Sequence, residues 1–507
     1  MASFSSQQGI GRGEIPESRV ETPFAMAAML VATLGVLAAY VYFRDPALTL
    51  ALAVSALIFG VTILRADFGV YALVVAMMFS PEVHAGGVGH GERQLMLRYD
   101  DILIIVIFLG VVAKATFEGK PLLWLPSPVN RGLVAYYAVC LLSTLLALRL
   151  SVPAWDKKLA FFILLKMAEF YMIFVLVGNA VRGLRQVRNQ LTVFLLVALV
   201  VCIGCIAQIG SVERLTAPFE KGSPEPNTLG GYLIIIMSLT AALFFHAPKL
   251  IQKAVFLGLF AAALLPFLFS LSRASFIAAI VALLTLGILL LPRGRGVFVI
   301  ALVVGVLLFS HVLMPPEVMD RVNYTFQRGS GVPLFIGSWD TGIQVDKSTY
   351  ERIYVWKKVL YDLRAWPWFG GGIAWGKVYD SQYARVIKET GLLGLAAFLF
   401  MQRRLLRTAK EARRWSRDWM ARGLAMAMTA SIVGLIVHSM GTITFLIIRI
   451  MEPFWFLMAL TAVCRAAAIE EYRQRVMAQK QAAETQIAVP GTAAPATPQH
   501  APHALGG

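Results

Sequence analysis

"FLFSLSRASFIAAIVALLTLGILLLPRGRGVFVIALVVGVLLFSHVLM", residues 267–314, contains two apolar runs, 274–292 and 296–314, joined by a basic turn and preceded by a single arginine, Arg273. Each run has the length an α-helix needs to cross a bilayer, about 20 residues at roughly 1.5 Å of rise each. The pattern predicts two helices crossing a membrane in opposite directions, with PRGRG (292–296) at one surface and Arg273 at the other. Extended both ways, the same reading gives fourteen candidate spans: roughly 24–43, 47–65, 68–80, 101–115, 131–148, 158–180, 189–210, 226–246, 252–271, 274–292, 296–314, 385–402, 422–441 and 443–464. The 507 residues are 58% hydrophobic and 15% charged, with a mean hydropathy of +0.70, which excludes an ordinary soluble domain. The expected fold class is all-α, a polytopic bundle of about 12–14 transmembrane helices. The first run lacks the small-residue cleavage pattern of a signal peptide and is followed directly by Arg44, so it reads as a retained anchor.

Charge sets the orientation. Residues 403–422 hold Arg403, Arg404, Arg407, Lys410, Arg413, Arg414, Arg417 and Arg422 against Glu411 and Asp418. Short connections this rich in Lys and Arg face the cytoplasm. Counting spans outward puts VRGLRQVR (181–188), APKLIQK (247–253), PRGRG and both termini on the same side. Segment 315–384 then falls on the opposite side, where eight basic and seven acidic residues nearly cancel. The expected organisation is a cytoplasmic segment 1–23, eleven spans over 24–314, a large periplasmic loop 315–384 with an amphipathic helix, three spans over 385–465, and a cytoplasmic tail 466–507. That tail is expected to be mostly disordered, being Ala/Pro-rich after about residue 485. A net charge of +17 is then explained by cytoplasmic loops facing anionic membrane lipids, and no nucleic-acid partner is called for. Cys140, Cys202, Cys205 and Cys464 lie in or beside apolar segments without metal-ligand spacing, so neither a disulfide framework nor a zinc site is indicated.

The outer segment concentrates chemistry. Five of the ten Trp (339, 356, 366, 368 and 375) fall in it, with six tyrosines in or beside them. Aromatic faces suit both a seat in the headgroup layer and stacking on a sugar ring. Residues 348–366 place apolar side chains at 353, 356, 359, 360 and 363, near helical spacing, and WPWFGGGIAWG (366–376) reads as a helix stop. Arg214, Arg273 and Arg352 all fall on the outer side, against the trend that keeps arginine inside, and three such forks of donors suit a phosphate or pyrophosphate. Asp380, in YDSQYARVIKE, reads either as a general base toward a sugar hydroxyl or as a helix cap. The intramembrane residues Lys166, Glu169, His438, Arg449 and Glu452 raise a transporter alternative. Their i, i+3 spacing also allows Lys166–Glu169 and Arg449–Glu452 pairs that simply neutralise each other. No Walker loop or HExxH appears, which leaves nucleotide hydrolysis and metal-dependent proteolysis unsupported.

Four stretches in order, LMLRYDDILIIVIFL (95–109), RLTAPFEKGSPEPNTLGGYLIIIMSL (214–239), SLSRASFIAAIVALLTLG (270–287) and the run from Glu351 to Leu395, make the chain resemble the O-antigen ligase/polymerase superfamily of bacterial envelope glycosyltransferases. The resemblance covers about residues 95–402. It implies a GT-C-type inner-membrane enzyme that needs no cofactor, metal or nucleotide and acts on undecaprenyl-pyrophosphate-linked oligosaccharide at the periplasmic face. It also implies a pyrophosphate clamp at Arg214, Arg273 and Arg352, with Trp356 and Tyr383 placed to meet glycan. A flippase and a chain-length regulator of the same pathway are the candidate protein partners. Ligases of the family carry a His nine residues before the Glu of an E-x-G turn, and nine residues before Glu389 this chain has Asp380. That departure favours a polysaccharide polymerase over a ligase, with Asp380 as the candidate base.

Overall fold

A computed structural model of the chain describes residues 46–488 except 81, 89–94, 120, 123–124, 153–154, 213, 218–224, 310–331, 337–338, 346 and 377–379. The first expected span, 24–43, and residues 315–331 of the expected outer loop lie outside the described residues. The apolar runs form α1 (Pro46–Leu64), α2 (Ala66–Phe79), α3 (Tyr99–Phe117), α4 (Pro128–Arg149), α5 (Lys157–Ala180), α6 (Leu184–Ile206), α7 (Pro226–His246), α8 (Leu250–Phe269), α9 (Arg273–Leu290) and α10 (Arg295–Leu308). After them come α11 (Lys347–Ala365), α12 (Gln382–Trp415), α13 (Trp419–His438) and α14 (Ile448–Ala488). Two short antiparallel ribbons accompany the helices, β1 (Glu82–Val88) with β2 (Leu95–Arg98) and β3 (Val332–Ile336) with β4 (Trp339–Val345).

Among the described residues eight helices, α4 to α9, α13 and the Ile448–Gln481 part of α14, are long and apolar enough to cross a membrane, and three shorter apolar helices join them. The charged residues of α3 and α12 set these two apart from the eight. The chain is a multi-pass, all-α membrane protein. At its centre stand α7, α13 and the first half of α14, buried almost all round, whereas α8 turns most of its surface outward. Small residues allow the close approach: a methyl at Gly434 would stand 2.9 Å from the Ala282 Cβ and 3.1 Å from the Ala278 carbonyl oxygen, which brings α13 against α9.

One connection differs from expectation. Residues 403–415, expected as part of a loop, continue α12, and only Ser416–Asp418 turn the chain before α13. Residues 466–488, the start of the expected tail, continue α14, and the Ala/Pro-rich remainder, 489–507, lies outside the described residues. Ala, Glu, Gln and Arg dominate 466–488 and favour helix, and Glu471–Arg475 pairs one turn apart there.

The buried charges form a network between helices. Lys166 on α5 pairs with Asp101 on α3 as well as with Glu169, at 2.9 Å. The Arg449–Glu452 pair drawn from spacing is replaced by a cross-bundle arrangement. Arg98 pairs with Asp100 and lies 3.7 Å from Glu452, while Arg449 donates to the carbonyls of Met77 (2.7 Å) and Ser80 (2.9 Å). Taking charges out of water is costly unless each finds partners, and here the partners come from α2, α3, α5 and α14 together.

Candidate active site

Three turns meet at one end of the bundle. In the first, between α8 and α9, Leu271 adopts φ of 52°, unusual for a residue with a branched side chain. The segment before α7 lies along this turn: Leu215 donates its amide to the Phe269 carbonyl at 3.1 Å, and Arg214 donates from Nη2 to the Leu271 carbonyl at 3.3 Å. Ser272 then caps α9 by accepting the Ser275 amide at 3.3 Å, which starts the helix at Arg273. The second turn, after α13, packs on α9: a methyl at Gly441 would stand 2.9 Å from the Ala274 Cβ and 3.8 Å from Nη2 of Arg352. Arg352 is half-buried on the face of α11 that also carries Val355, Val359 and Leu363. Arg214 and Arg273, at the first turn, and Arg352, on α11 beside the second, are thus gathered from 138 residues of sequence at the extremes.

The third turn is the start of α12. Gln382 donates its amide to the carbonyls of Ser439 (3.0 Å) and Thr442 (3.3 Å), and its side-chain oxygen accepts the Phe445 amide at 3.2 Å. Asp380, exposed, stands two residues ahead of this anchor. Tyr383 directs its hydroxyl inward to the Ile436 carbonyl at 2.8 Å and its ring against Phe398. Trp356 is half-buried where α11 packs on Ala384 and Ile387. Both side chains therefore also seat elements against one another.

Residues 366–376 do more than end a helix. Gly391, at φ 65°, breaks α12, which leaves carbonyls without partners on one side of the break and amides on the other. The glycine strap supplies both. Gly371 and Gly372 donate to the carbonyls of Lys388 and Glu389, at 3.0 and 2.9 Å, and the carbonyls of Pro367 and Trp368 accept the amides of Leu392 and Leu393. One carboxylate oxygen of Glu389 receives the Ala374 amide at 3.0 Å and Arg385 Nε at 2.9 Å. Ser143 on α4 donates to the Phe369 and Glu389 carbonyls, and Trp155 Nε1 donates to the Ile373 carbonyl at 2.6 Å. The E-x-G triplet 389–391 is a clasp: the Glu grips the strap and the Gly opens the helix to receive it.

A polar thread runs inward from the first turn. Ser272 Oγ donates to Asn227 Oδ1 at 2.6 Å and lies 2.7 Å from Ser275 Oγ. Ser275 in turn lies 3.0 Å from Nε2 of the fully buried His438, whose Nδ1 meets Thr444 Oγ1 at 2.8 Å. Sequence reading grouped His438 with the intramembrane residues of the transporter alternative and passed over Ser272, Ser275, Asn227 and Gln382. The SLSRAS spelling before α9 hinted at the two serines alone. Elsewhere, Asp100, Asp101 and Glu452 form the one grouping with metal-like spacing among the described residues, and Arg98 and Lys166 already pair with its members.

Chemically, the gathered turns offer guanidinium forks, an exposed carboxylate and a rigid backbone clasp at the end of an apolar bundle. Such a site suits an anionic headgroup whose apolar tail remains among the helices. Residues 258–399 match the family model of the O-antigen ligases, a stretch that includes Arg273, Arg352, Asp380 and the E-x-G clasp but not Arg214. No curated protein matches the chain.

Proposed function

We propose that the chain is an enzyme of the O-antigen ligase/polymerase type and, within it, a polysaccharide polymerase, a reading supported by the match of residues 258–399 to the O-antigen ligase family model. It would transfer a glycan chain from undecaprenyl pyrophosphate to a lipid-linked repeat unit at the periplasmic face of the inner membrane. The observation that carries this reading is the gathering of Arg214 and Arg273 at the first turn with Arg352 beside the second. In the proposed step a hydroxyl of the acceptor sugar attacks the anomeric carbon of the donor. The new C–O bond forms as the bond from that carbon to the pyrophosphate oxygen breaks. Asp380 takes the hydroxyl proton, and the arginines offset the charge on the departing pyrophosphate, each worth about 2–4 kcal/mol by analogy with oxyanion donors.

Purified protein given a synthetic lipid-linked repeat should build a ladder of products on a sizing gel. Transfer to a lipid A core, sugar or protein acceptor without any ladder would turn the reading to the ligase, the reaction for which the matched family is described. A deletion strain separates the two in cells, since loss of a polymerase leaves single lipid-linked repeats and loss of a ligase leaves long unattached polymer. The transporter alternative draws no support from the matched family, and its Lys166 is committed to both Glu169 and Asp101 inside the bundle.

A further inference from the structure

The end of the bundle opposite the three turns carries a second basic site. From Ser381 to Arg404 the chain of α12 rises at most about 35 Å, enough to cross a hydrocarbon core. There a cavity of about 920 Å³ opens between the start of α4, the end of α5, the far part of α12 and α14. Six arginines from these elements line it: Arg131, Arg182, Arg404, Arg407, Arg465 and Arg473. Only two carboxylates face them, Glu411 and Glu470. Glu411 is held by Arg407 and Arg465, both at 2.7 Å, and Glu470 lies 4.0 Å from Arg473.

Among the described residues no carboxylate pairs with Arg131, Arg182 or Arg404. Two polar atoms of lining residues, Arg404 Nε and Asn130 Oδ1, are buried without a hydrogen-bond partner. Arg404 does not turn away to solvent, since its guanidinium lies over the Phe400 ring at 4.6 Å. The rest of the wall is apolar or small: Leu125, Pro126, Val181, Val463 and Ala466. A basic mouth on an apolar wall fits a phosphate joined to hydrocarbon better than a free phosphate, which would gain nothing from the wall.

We propose that this cleft binds the phosphate headgroup of an anionic phospholipid, with an acyl chain lying against the Leu125, Val181 and Val463 wall. The site is separate from the one proposed for glycan transfer and does not depend on it. Native mass spectrometry of the full chain, released from nanodiscs of mixed phosphatidylglycerol and phosphatidylcholine, tests it directly. The wild type should retain phosphatidylglycerol in preference to phosphatidylcholine, and the double variant Arg131→Gln/Arg404→Gln should lower that preference about 30-fold, on the scale of two interfacial arginines. Arg131→Lys/Arg404→Lys keeps the charge and should keep part of the preference, which separates lost binding from lost folding. Lys253→Gln, a basic residue on α8 outside the cleft, should change nothing. Equal retention by the Gln double variant and the wild type would overturn the proposal. So would inorganic pyrophosphate displacing the lipid from detergent-solubilised protein at equal concentration, since the apolar wall would then count for nothing.

Discussion

Gly391 and Glu389 show how much a single position carries in this site. At Gly391 a side chain would meet the Trp368 backbone at 2.5 Å and would also have to hold φ at 65°. Gly391→Ala is therefore expected to destabilise the protein by about 1–3 kcal/mol or more, the cost of a left-handed non-glycine residue, before the clash is counted. A lower unfolding temperature in detergent would register it; an unchanged one would mean that the strap moves aside freely. For Arg273 the expectation is chemical. Arg273→Ala should lower polymerisation by about 100- to 1,000-fold, as loss of one charge-stabilising donor does elsewhere, while membrane insertion is unchanged. Arg273→Lys should recover only part of the activity, because an ammonium lacks the planar fork. Full-length polymer from the Ala variant would remove Arg273 from the proposed clamp.

At the scale of the element, α11 and the strap are both held onto α12. The helix buries Val355, Val359 and Leu363 against Ala384 and Ile387, while Tyr354, Leu360 and Tyr361 are exposed, an apolar second face suited to the headgroup layer. Of the apolar positions read as one stripe from sequence, Leu360 falls on the outward side. The strap is fixed from α12 through Glu389, so Glu389→Ala should speed amide exchange over residues 369–375 without comparable change in α13. Exchange that stays slow would show that Ser143 and Trp155 suffice to hold it. At the other end of α12, Glu411 joins α12 to α14 through Arg465. Partial burial opposes its ionisation, but hydrogen bonds from Arg407 and Arg465 outweigh that and hold its carboxyl below the ordinary range. This clasp therefore contributes above the ordinary carboxylate pKa and is lost as pH falls through the lowered value. Being partly exposed, it should show as a small acid-side loss of stability that Glu411→Gln abolishes.

For the whole molecule, the buried ion network is the test of how the helices are tied together. Lys166→Ala would leave Asp101 and Glu169 facing each other without their cation, and removal of one partner of a buried pair costs about 3–5 kcal/mol. Folding yield and unfolding temperature should both fall, far more than for a surface lysine such as Lys253. The proposed topology is checked by single cysteines at 352 and 410, which a membrane-impermeant thiol reagent should reach from opposite sides. Labelling of both from one side would dismantle the periplasmic placement of the site.

The sequence alone determined that this chain is a bundle of membrane-crossing helices, because the length and continuity of apolar runs are local quantities that the bilayer reads one segment at a time. Helices over 66–79 and 99–117 fall close to the expected 68–80 and 101–115 for that reason. It also singled out Arg273, whose oddity shows against its own neighbours, whereas the E-x-G triplet stood out only through the family resemblance. Tertiary structure decided which groups meet. Arg98 rather than Arg449 lies beside Glu452, the strap closes the break at Gly391, and His438 joins Ser275, because partners far apart in the chain leave no periodic trace in it. A helix also runs on past 403 where charge suggested a loop, since basic residues mark where the membrane ends and not where a helix must.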